Sequence, residues 1–363
     1  MRVAVAMSGG VDSLRTAALL KEQGNDVFAI HMQLFPQPGT GERKAEPILE
    51  DRKLDLTRLT STLGIPLTIV DMQEVFKARV ILPFVEAYRN GLTPNPCVVC
   101  NPILKFGFLL QEAKKLGAQY LATGHYARLD RPQSPSGRYQ LRRALDPGKD
   151  QSYFLYGLTQ PQLACALFPL GDFTKREVMR WAEEEGYASS TRKESQEICF
   201  IPSGNYQQFL LEDFASESFQ TGGPIVDMDG NYLAEHKGIF AFTIGQRRGL
   251  GIASTAPYYV LALDPDTNTV QIGRAHQLYC SECRIEKVNW VSIESPTTPL
   301  RAHVRIRNQH RPCPARIAPL GGGIDVMVHF DEPQRAVTPG QAAVFYSRDV
   351  VLGGGTITRK ERK

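Results

Sequence analysis

Short apolar runs alternate with longer amphipathic stretches from Arg2 to about Pro202. Runs of this kind, rich in β-branched residues, are typical of strands that are buried on both faces of a sheet. The predicted strands are Val3–Ala6, Asp26–Met32, Leu67–Val70 and Tyr120–Thr123. Apolar residues that recur every three or four positions predict helices between them, at Leu14–Gln23, Asp51–Leu63, Ile103–Leu116 and Thr174–Glu185, the last with a capping-box spacing of Thr174 and Glu177. Strands that alternate with helices indicate an α/β domain with a parallel sheet.

The pattern changes after a further predicted helix at about 205–214. Turn signals such as Gly-Gly-Pro and Asp-Gly-Asn then separate alternating strands, which predicts an all-β region with a break near 271–277. We therefore predict an α/β domain over 1–204, a small central β-rich domain over 205–274, and a C-terminal β-barrel over 275–363. A polar insertion over 128–148, rich in turn-forming residues, predicts a hairpin within the first domain.

Composition indicates a folded, water-soluble chain. Of the 363 residues, 42% are hydrophobic and 22% are charged, so the chain can bury sizeable cores and is neither disordered nor fibrous. No apolar run approaches the ~18 residues that cross a bilayer, and the opening apolar run is too short for a signal peptide. We therefore expect a cytoplasmic protein without a membrane partner. Seven cysteines, an odd number, argue against a secreted disulfide framework.

Positive charge is concentrated at the C-terminal end. Residues 301–363 hold 11 Lys and Arg against 5 Asp and Glu, whereas the first 300 residues hold 31 against 33. This asymmetry is consistent with a module that binds a polyanion such as RNA, and equally with a solvated basic face.

The most informative local motif is Ser8-Gly-Gly-Val-Asp-Ser13, which lies between the first predicted strand and the first predicted helix. Glycines let backbone N–H groups approach phosphate oxygens, and a helix N-terminus attracts negative charge. The lysine of a Walker loop is missing, so P-loop phosphoryl transfer is not supported. A lone pair of glycines would instead favour an ordinary tight turn. Met32 and Gly124, at the ends of two other predicted strands, are expected at the same sheet edge, where open α/β folds bind ligands.

Two cysteines belong to a proline-rich stretch, Thr93–Asn101, which we predict to be a loop because Pro94 and Pro96 interrupt helices. Cys100 then lies at the N-terminus of the next predicted helix, and Lys105 follows one turn later. Because both features lower a thiol pKa, the sequence predicts that Cys100 is a thiolate.

Six strings occur in the order found in one protein family. They are S-G-G-V-D-S, P-N-P-x-x-x-C-N, T-G-H-Y-A-R, G-K-D-Q-S-Y-F-L, S-Q-E-I-C-F-I and T-I-G-Q-R-R-G-L-G. The chain therefore resembles the tRNA-specific 2-thiouridylases, which are PP-loop ATP pyrophosphatases, over essentially its whole length. The resemblance implies a PP-loop domain that binds ATP and Mg²⁺, adenylates the 2-oxygen of the wobble uridine in tRNA, and then exchanges AMP for sulfur.

The resemblance also implies roles for individual residues. The ATP site would comprise Ala6, Met7, Ser8, Gly9, Gly10, Val11, Asp12, Ser13, Met32 and Gly124, with Asp12 beside Mg²⁺ and the leaving pyrophosphate. Cys199, which in isolation would be a core cysteine, would carry a persulfide, and the nucleophile Cys100 would release sulfide or close a disulfide with it. The tRNA would be contacted by Asn95, Pro96, Cys97, His125, Lys149, Asp150, Gln151, Arg307, Asn308 and Gln341. The expected partners are tRNAs for glutamate, glutamine and lysine, and a cysteine desulfurase that supplies sulfur directly or through relay proteins.

One position departs from the usual family pattern P-N-P-D-x-x-C, because Cys97 replaces the aspartate. With Cys100 and Cys199 it makes three cysteines, a number that can hold a four-iron four-sulfur cluster with one open iron. The persulfide route and the cluster route therefore both remain open. Cys280 and Cys283 form a second C-x-x-C pair, but the remaining spacing is incomplete for zinc and we do not favour a metal site there.

Two other functions are compatible with parts of the sequence. A PP-loop amide ligase for a small molecule would use the same nucleotide loop, but it leaves the cysteines and the basic C-terminal region unexplained. A non-catalytic RNA-binding protein would not need an intact S-G-G-V-D-S loop. Release of pyrophosphate that depends on tRNA separates these possibilities.

Overall fold

The computed structural model describes residues 1–35, 48–134, 136–187, 198–201, 204–214 and 221–359. The strands of its N-terminal domain are β1 (Arg2–Ala6), β2 (Asp26–Gln33), β3 (Leu67–Asp71), β4 (Tyr120–Ala122), β5 (Ala127–Asp130), β6 (Gln140–Arg143) and β7 (Ala166–Leu167). Five of them form a parallel sheet in the order β3-β2-β1-β4-β7. The four predicted strands are confirmed. The apolar residues of the central strands β1, β2 and β4 are mostly buried, whereas those of the edge strand β3 are half-buried. The edge strand β7 was not predicted, because two residues are too few to form a pattern.

The helices are α1 (Val11–Glu22), α2 (Ile48–Leu63), α3 (Gln73–Phe76), α4 (Leu82–Arg89), α5 (Pro96–Cys100), α6 (Leu110–Lys115), α7 (Gln160–Ala164), α8 (Lys175–Glu184) and α9 (Tyr206–Asp213). Two π-helical segments, Lys77–Ile81 and Asn101–Leu109, join α3 to α4 and α5 to α6. The chain therefore runs as two long helices over 73–89 and 96–115. The first of these helices was not predicted, because Pro83 lies inside it and proline usually interrupts a helix. The second begins at Pro96, seven residues before the predicted start at Ile103.

The region after α9 is all-β, as predicted. Strands β8 (Gly223–Val226), β9 (Tyr232–His236), β10 (Tyr259–Asp264) and β11 (Thr269–Gly273) form a separate four-stranded sheet in the order β10-β11-β8-β9. Its own small core contains Ile225, Val260, Val270 and Ile272, all nearly inaccessible to water. The helix α9 itself packs Phe209 and Leu210 into the core of the N-terminal domain.

A closed antiparallel barrel completes the fold. Its strands are β12 (Tyr279–Asn289), β13 (Leu300–Arg305), β14 (Cys313–Leu320), β15 (Asp325–Arg335), β16 (Ala342–Ser347) and β17 (Val350–Ile357). They pair in the order β12-β15-β14-β13-β16-β17, and β12 also pairs with β17, which closes the barrel. The predicted hairpin of the N-terminal domain, β5 and β6, extends this sheet, because Val350 pairs with Arg142. A Cβ on Gly354 would lie 2.7 Å from the carbonyl oxygen of Ala343, so this closely packed seam requires glycine.

A buried carboxylate joins the barrel to the N-terminal domain. Asp150 accepts hydrogen bonds from Nε of Arg143 and from Nη1 of Arg305, each at 3.0 Å. Its side chain is 1% exposed, and that of Arg305, which comes from β13, is 9% exposed. The backbone N–H groups of Ala144 and Ser152 also donate to this carboxylate. Because the charge is fully paired, it can be buried between the two domains without a large penalty.

A second contact ties the barrel to the proline-rich stretch of the N-terminal domain. Nε2 of Gln341 donates to the carbonyl oxygen of Thr93 at 2.9 Å, and the N–H of Thr93 donates to the carbonyl of Pro339 at 3.0 Å. The barrel thereby fixes the chain immediately before α5.

None of the described helices combines the length and the apolar composition that crossing a lipid bilayer requires.

We expect Asp150→Ala to destabilise the protein by about 3–5 kcal/mol, because it leaves two partly buried guanidinium groups without their counter-charge. The matched control is Asp331→Ala, which removes the exposed partner of Arg301 from the same barrel and should cost about 0–1 kcal/mol. Urea unfolding in a Trp181→Phe background would measure both effects through Trp290, the tryptophan of the barrel. Equal costs for the two variants would contradict the proposed importance of the buried pair.

Candidate functional site

The loop between β1 and α1 is fixed by the hydroxyl of Ser13. This hydroxyl donates to the carbonyl of Gly10 at 2.8 Å and accepts from the N–H of Ser8 at 3.2 Å. Gly9 has φ of 85°, a left-handed conformation that favours glycine. Ser8 is exposed, and the N-cap residue of α1 is Gly10, which has no side chain that could cap the helix. The loop therefore presents the N-terminus of a twelve-residue helix to solvent, in a form suited to phosphate.

Two other predicted nucleotide residues lie at the same edge of the sheet. Met32 is half-buried near the end of β2, next to β1. Gly124 follows β4 and lies directly against the loop, because a Cβ there would be 2.9 Å from the carbonyl carbon of Asp12 and 3.0 Å from the nitrogen of Ser13. The close approach of two backbones explains the glycine at this position. That both residues contact adenosine stays a prediction.

The carboxylate of Asp12 has two partners that the sequence analysis missed. Nζ of Lys175 lies 2.7 and 2.8 Å from its two oxygens, and the hydroxyl of Tyr126 donates to one of them at 2.7 Å. Lys175 is the first residue of α8, behind the capping box in which Thr174 and Glu177 bond reciprocally. The predicted capping box is thus confirmed, and it positions a lysine at a loop that lacks one of its own. Lys175 and Asp12 are 163 positions apart, so no local pattern predicts their contact. The sequence shows only that Lys175 follows the predicted cap residue Thr174.

The prediction of a loop over Thr93–Asn101 is wrong at its second half. Helix α5 begins at Pro96, and Asn95 caps it by accepting a hydrogen bond from the N–H of Cys97 at 3.1 Å. Proline is well tolerated at the first position of a helix, where its missing N–H would have no partner. Cys97 and Cys100 therefore both lie on a helix, and Pro96 marks its start.

The three cysteines Cys97, Cys100 and Cys199 come together at one place. Cys97 and Cys199 reach the solvent and Cys100 is half-buried, although protein surrounds all three on most sides. This burial raises the pKa of each thiol, and for Cys199, where the neighbouring Cys100 and Cys97 add to the effect, to about 12. Lys105 opposes the increase at all three. The prediction that Cys100 is a resting thiolate is therefore wrong, because burial outweighs the charge of Lys105.

The three cysteines also bear on the question of a metal site. Among the residues that the structure describes, no group of three or more His, Cys, Asp or Glu side chains is placed to hold a metal ion. That Cys97, Cys100 and Cys199 hold an iron–sulfur cluster stays a prediction. Of the remaining cysteines, Cys283 and Cys313 are buried in the barrel core. Part of the S-Q-E-I-C-F-I motif, residues 195–197, lies outside the described residues.

His125, which the family resemblance places at the target base, is buried with both ring nitrogens occupied. Nδ1 lies 2.7 Å from Oγ1 of Thr123, and Nε2 lies 3.3 Å from Nζ of Lys105. Burial and the charge of Lys105 hold the pKa of His125 well below its usual value, so the ring is neutral. An ammonium only donates hydrogen bonds, so Nε2 is the acceptor and Nδ1 carries the proton that it donates to Thr123.

The residues predicted to contact tRNA fall into two groups. Asn95, Pro96, Cys97 and His125 lie around the start of α5 and its neighbours, whereas Lys149, Asp150, Gln151, Arg307 and Asn308 lie at the junction with the barrel. The prediction for Asp150 needs correction, because its carboxylate is buried in ion pairs and its side chain cannot reach tRNA. Arg305 donates to the carbonyl of Asn308, and Gln151 accepts from the N–H of Tyr126. Arg307 is exposed, and Gln341 holds Thr93.

Family models match the chain in three consecutive parts. Residues 1–203 match the model described as the tRNA methyl transferase HUP domain, residues 207–274 the tRNA methyl transferase PRC-barrel domain, and residues 280–357 the aminomethyltransferase beta-barrel domain. The tRNA-specific 2-thiouridylase MnmA of Halothermothrix orenii is 46% identical over 361 residues, which cover 98% of this chain and 98% of that protein. MnmA of Heliobacterium modesticaldum is 44% identical over 357 residues, 98% of this chain and 92% of that protein.

Among solved structures, the U34-tRNA thiolase NcsA from Methanococcus maripaludis with its 4Fe-4S cluster is 20% identical. The alignment covers 60% of this chain and 69% of that one, with a TM-score of 0.35. At this TM-score the similarity carries no argument about the site, and in particular none about a cluster.

We expect Gly124→Ala to weaken ATP binding roughly 10- to 100-fold, because the added Cβ would push the start of α1 out of place at a cost of about 1–3 kcal/mol. Isothermal titration with ATP measures the affinity. Gly148→Ala is the matched control, since the nearest atom to its Cβ would be a side-chain oxygen of Asp146 at 3.3 Å. Wild-type affinity in Gly124→Ala would contradict a nucleotide site at this loop.

Proposed function

The chain belongs to the tRNA-specific 2-thiouridylase family, and on that premise we propose which of its residues perform each step of the reaction. As a member of that family it is an ATP-dependent tRNA sulfurtransferase that forms 2-thiouridine. One observation carries the assignment: the consecutive residues Gly124, His125 and Tyr126 contact two elements. One is the nucleotide loop, residues 6–13, and the other is the helix over 96–115 that carries Cys97, Cys100 and Lys105, here called the thiol helix. The two half-reactions therefore take place on opposite sides of one short segment.

The nucleotide loop, Ala6–Ser13, activates the uridine. Its backbone N–H groups and the N-terminus of α1 hold the phosphates of ATP while the 2-oxygen of the wobble uridine attacks the α-phosphorus and pyrophosphate leaves. Lys175 supplies the positive charge that a Walker lysine supplies elsewhere, and Tyr126 keeps the Asp12 carboxylate oriented. Mg²⁺ usually binds one or two carboxylates together with substrate phosphates, a donor set that Asp12 fits, and when bound it would share the charge of the leaving pyrophosphate.

The thiols then deliver sulfur. Cys199 carries a persulfide. Cys100, a thiol at rest, first releases its proton to water, and the resulting thiolate attacks the inner sulfur of the persulfide, so that a Cys100–Cys199 disulfide forms and hydrosulfide leaves with the electron pair of the broken S–S bond. Hydrosulfide adds to the activated carbon of the uridine, and AMP departs with the former 2-oxygen. A dithiol reductant then returns two electrons to the disulfide. The alternative in which the persulfide attacks the uridine directly, before the disulfide closes, uses the same two cysteines.

Both the persulfide route and the cluster route use Cys100 and Cys199, which lie within electrostatic range of each other. We propose the persulfide route because it needs only these two thiols. The small-molecule ligase reading does not account for the cysteine cluster or for full-length relatives that act on tRNA. The names of the family models mention methyl transfer, but we assign the activity of the full-length relatives, which is tRNA thiolation. A PP-loop and reactive thiols are suited to adenylation and sulfur transfer.

The tRNA itself is proposed to lie across the exposed Arg307 and the neighbouring Lys149, Gln151 and Asn308, toward Asn95 and the thiols. Basic residues that contact phosphates position an RNA without recognising its sequence. We therefore propose the tRNAs for glutamate, glutamine and lysine as substrates from the family resemblance alone. A cysteine desulfurase, directly or through relay proteins, is the proposed source of sulfur. The domain division 1–204, 205–274 and 275–363 is likewise proposed, with support from the three family matches.

We expect wild-type protein to release pyrophosphate from ATP only when tRNA is present. Cys100→Ser and Cys199→Ser should keep this release within about threefold and form no 2-thiouridine, because the thiols act after adenylation. Asp12→Asn should lose both. Pyrophosphate release and mass spectrometry of digested tRNA measure the two steps. Cys165→Ser, a half-buried cysteine outside the cluster, is the control and should retain both. Pyrophosphate release that does not require tRNA would contradict the proposed function.

The persulfide route makes a separate prediction for Cys97. Cys97→Asp restores the usual family motif, so most 2-thiouridine formation should remain, and anaerobically purified wild-type protein should contain no stoichiometric iron. An inactive Cys97→Asp variant together with about four irons per wild-type chain would establish the cluster route instead. Iron and acid-labile sulfide analysis, alongside the tRNA assay under anaerobic conditions, distinguishes the two.

A further inference from the structure

Lys105 is the cation of the thiol site. It opposes the burial effect at Cys97, Cys100 and Cys199 alike, so its ammonium lies within electrostatic range of all three sulfur atoms. Within the part of the chain that the structure describes, no other basic residue acts on these thiols. Its side chain is half-buried, where water screens the charge less than at the surface.

The helix that carries Lys105 is wound in a way that brings it to the cysteines. Lys105 is five residues beyond Cys100, and in an α-helix residues five apart point roughly 140° away from each other. The segment Asn101–Leu109 is π-helical, and its wider turn with hydrogen bonds five residues apart rotates position 105 back toward the side of position 100. Pro102, which has no N–H, lies in this segment and is incompatible with regular α-helical bonding there. The π-helical winding therefore brings Lys105 to the side of the helix that carries Cys100.

A second constraint fixes where the ammonium points. Nε2 of the neutral His125 accepts a hydrogen bond from Nζ of Lys105 at 3.3 Å, while Nδ1–H donates to Thr123 at 2.7 Å. The ring of Phe168 packs edge-on against His125, with centroids 6.2 Å apart. A buried ring held on three sides has one orientation, and so the ammonium that it binds has one position.

We propose that Lys105 stabilises the negative charge that moves between sulfur atoms during sulfur transfer, and that His125 is a positioning residue that acts through Lys105. The proposal rests on the sulfur step described above. One negative charge is present throughout that step: it begins on the Cys100 thiolate and ends on the departing hydrosulfide. A fixed cation within electrostatic range of both Cys100 and Cys199 lowers the barrier without itself gaining or losing a proton. In this role His125 does not contact the target base.

The test separates sulfur transfer from adenylation. Wild-type protein and variants are loaded with persulfide at Cys199, mixed with ATP and tRNA, and followed through a single turnover by pyrophosphate release and by 2-thiouridine. In Lys105→Met, pyrophosphate release should stay within about twofold, which also shows that the protein is folded, while 2-thiouridine formation should slow roughly 100- to 1000-fold. Lys105→Arg keeps the charge and should stay within about tenfold of wild type. Lys114→Met, an exposed lysine of the same long helix, should be unaffected.

The role of His125 is tested in combination with Lys105. If His125 acts through Lys105, His125→Phe should slow 2-thiouridine formation in the wild-type background and have almost no further effect in Lys105→Met. Additive effects, or a raised KM for tRNA in His125→Phe with unchanged kcat, would instead place His125 at the target base and overturn its positioning role.

Two failures can be told apart. If persulfide-loaded wild-type protein forms no 2-thiouridine, the proposed sulfur route is wrong. If wild-type protein works and Lys105→Met transfers sulfur at the wild-type rate, the route stands and the inference about Lys105 is wrong.

Discussion

The segment Gly124–Tyr126 follows the sheet strand β4 and has to satisfy two sites at once. On one side the backbone of Gly124 touches the start of α1, so that any side chain at this position would displace the nucleotide loop. On the other side the His125 ring is pressed into the core and linked to Lys105 of the thiol helix. Tyr126 turns back to Asp12. These three neighbouring residues lie in the short connection between β4 and β5, and contacts on both sides hold it, so one segment links the nucleotide loop to Lys105.

The barrel contributes to the same geometry from outside. Its buried Arg305 meets Asp150, and its Gln341 holds Thr93, just before the cap of α5. Breaking a buried charge pair is costly because the remaining charge cannot return to water, so the barrel and the N-terminal domain behave as one unit. The tRNA-binding surface that we propose at the barrel is thereby connected through polar contacts to the stretch that carries Cys97 and Cys100. Residues such as Asp150 and Gln341 serve this connection through the protein interior.

Local pattern was sufficient for much of the fold and for the family. Buried strands such as Val3–Ala6 are continuous apolar runs, and the capping box at Thr174 is a short-range signal, so both were predictable. The failures have a common cause. The helix start at Pro96 depends on how Asn95 folds back, the pKa of Cys100 depends on burial, and the contact of Lys175 with Asp12 joins distant parts of the chain. None of these is encoded in spacing, because each arises only when the elements pack.

Burial raises the pKa of the three thiols and the charge of Lys105 lowers it, and the net increase accounts for thiols that are unreactive at rest. A raised pKa keeps a thiol protonated at neutral pH, and a protonated thiol reacts slowly with oxidants and stray electrophiles. The sulfur transfer that we propose nevertheless needs a thiolate at Cys100, and the charge of Lys105 favours that form. A carboxylate at position 97, as in the usual family motif, would share the charge of Lys105, whereas the neutral thiol of Cys97 does not. In this chain, therefore, no carboxylate at position 97 competes for that ammonium, which acts on Cys97, Cys100 and Cys199 together.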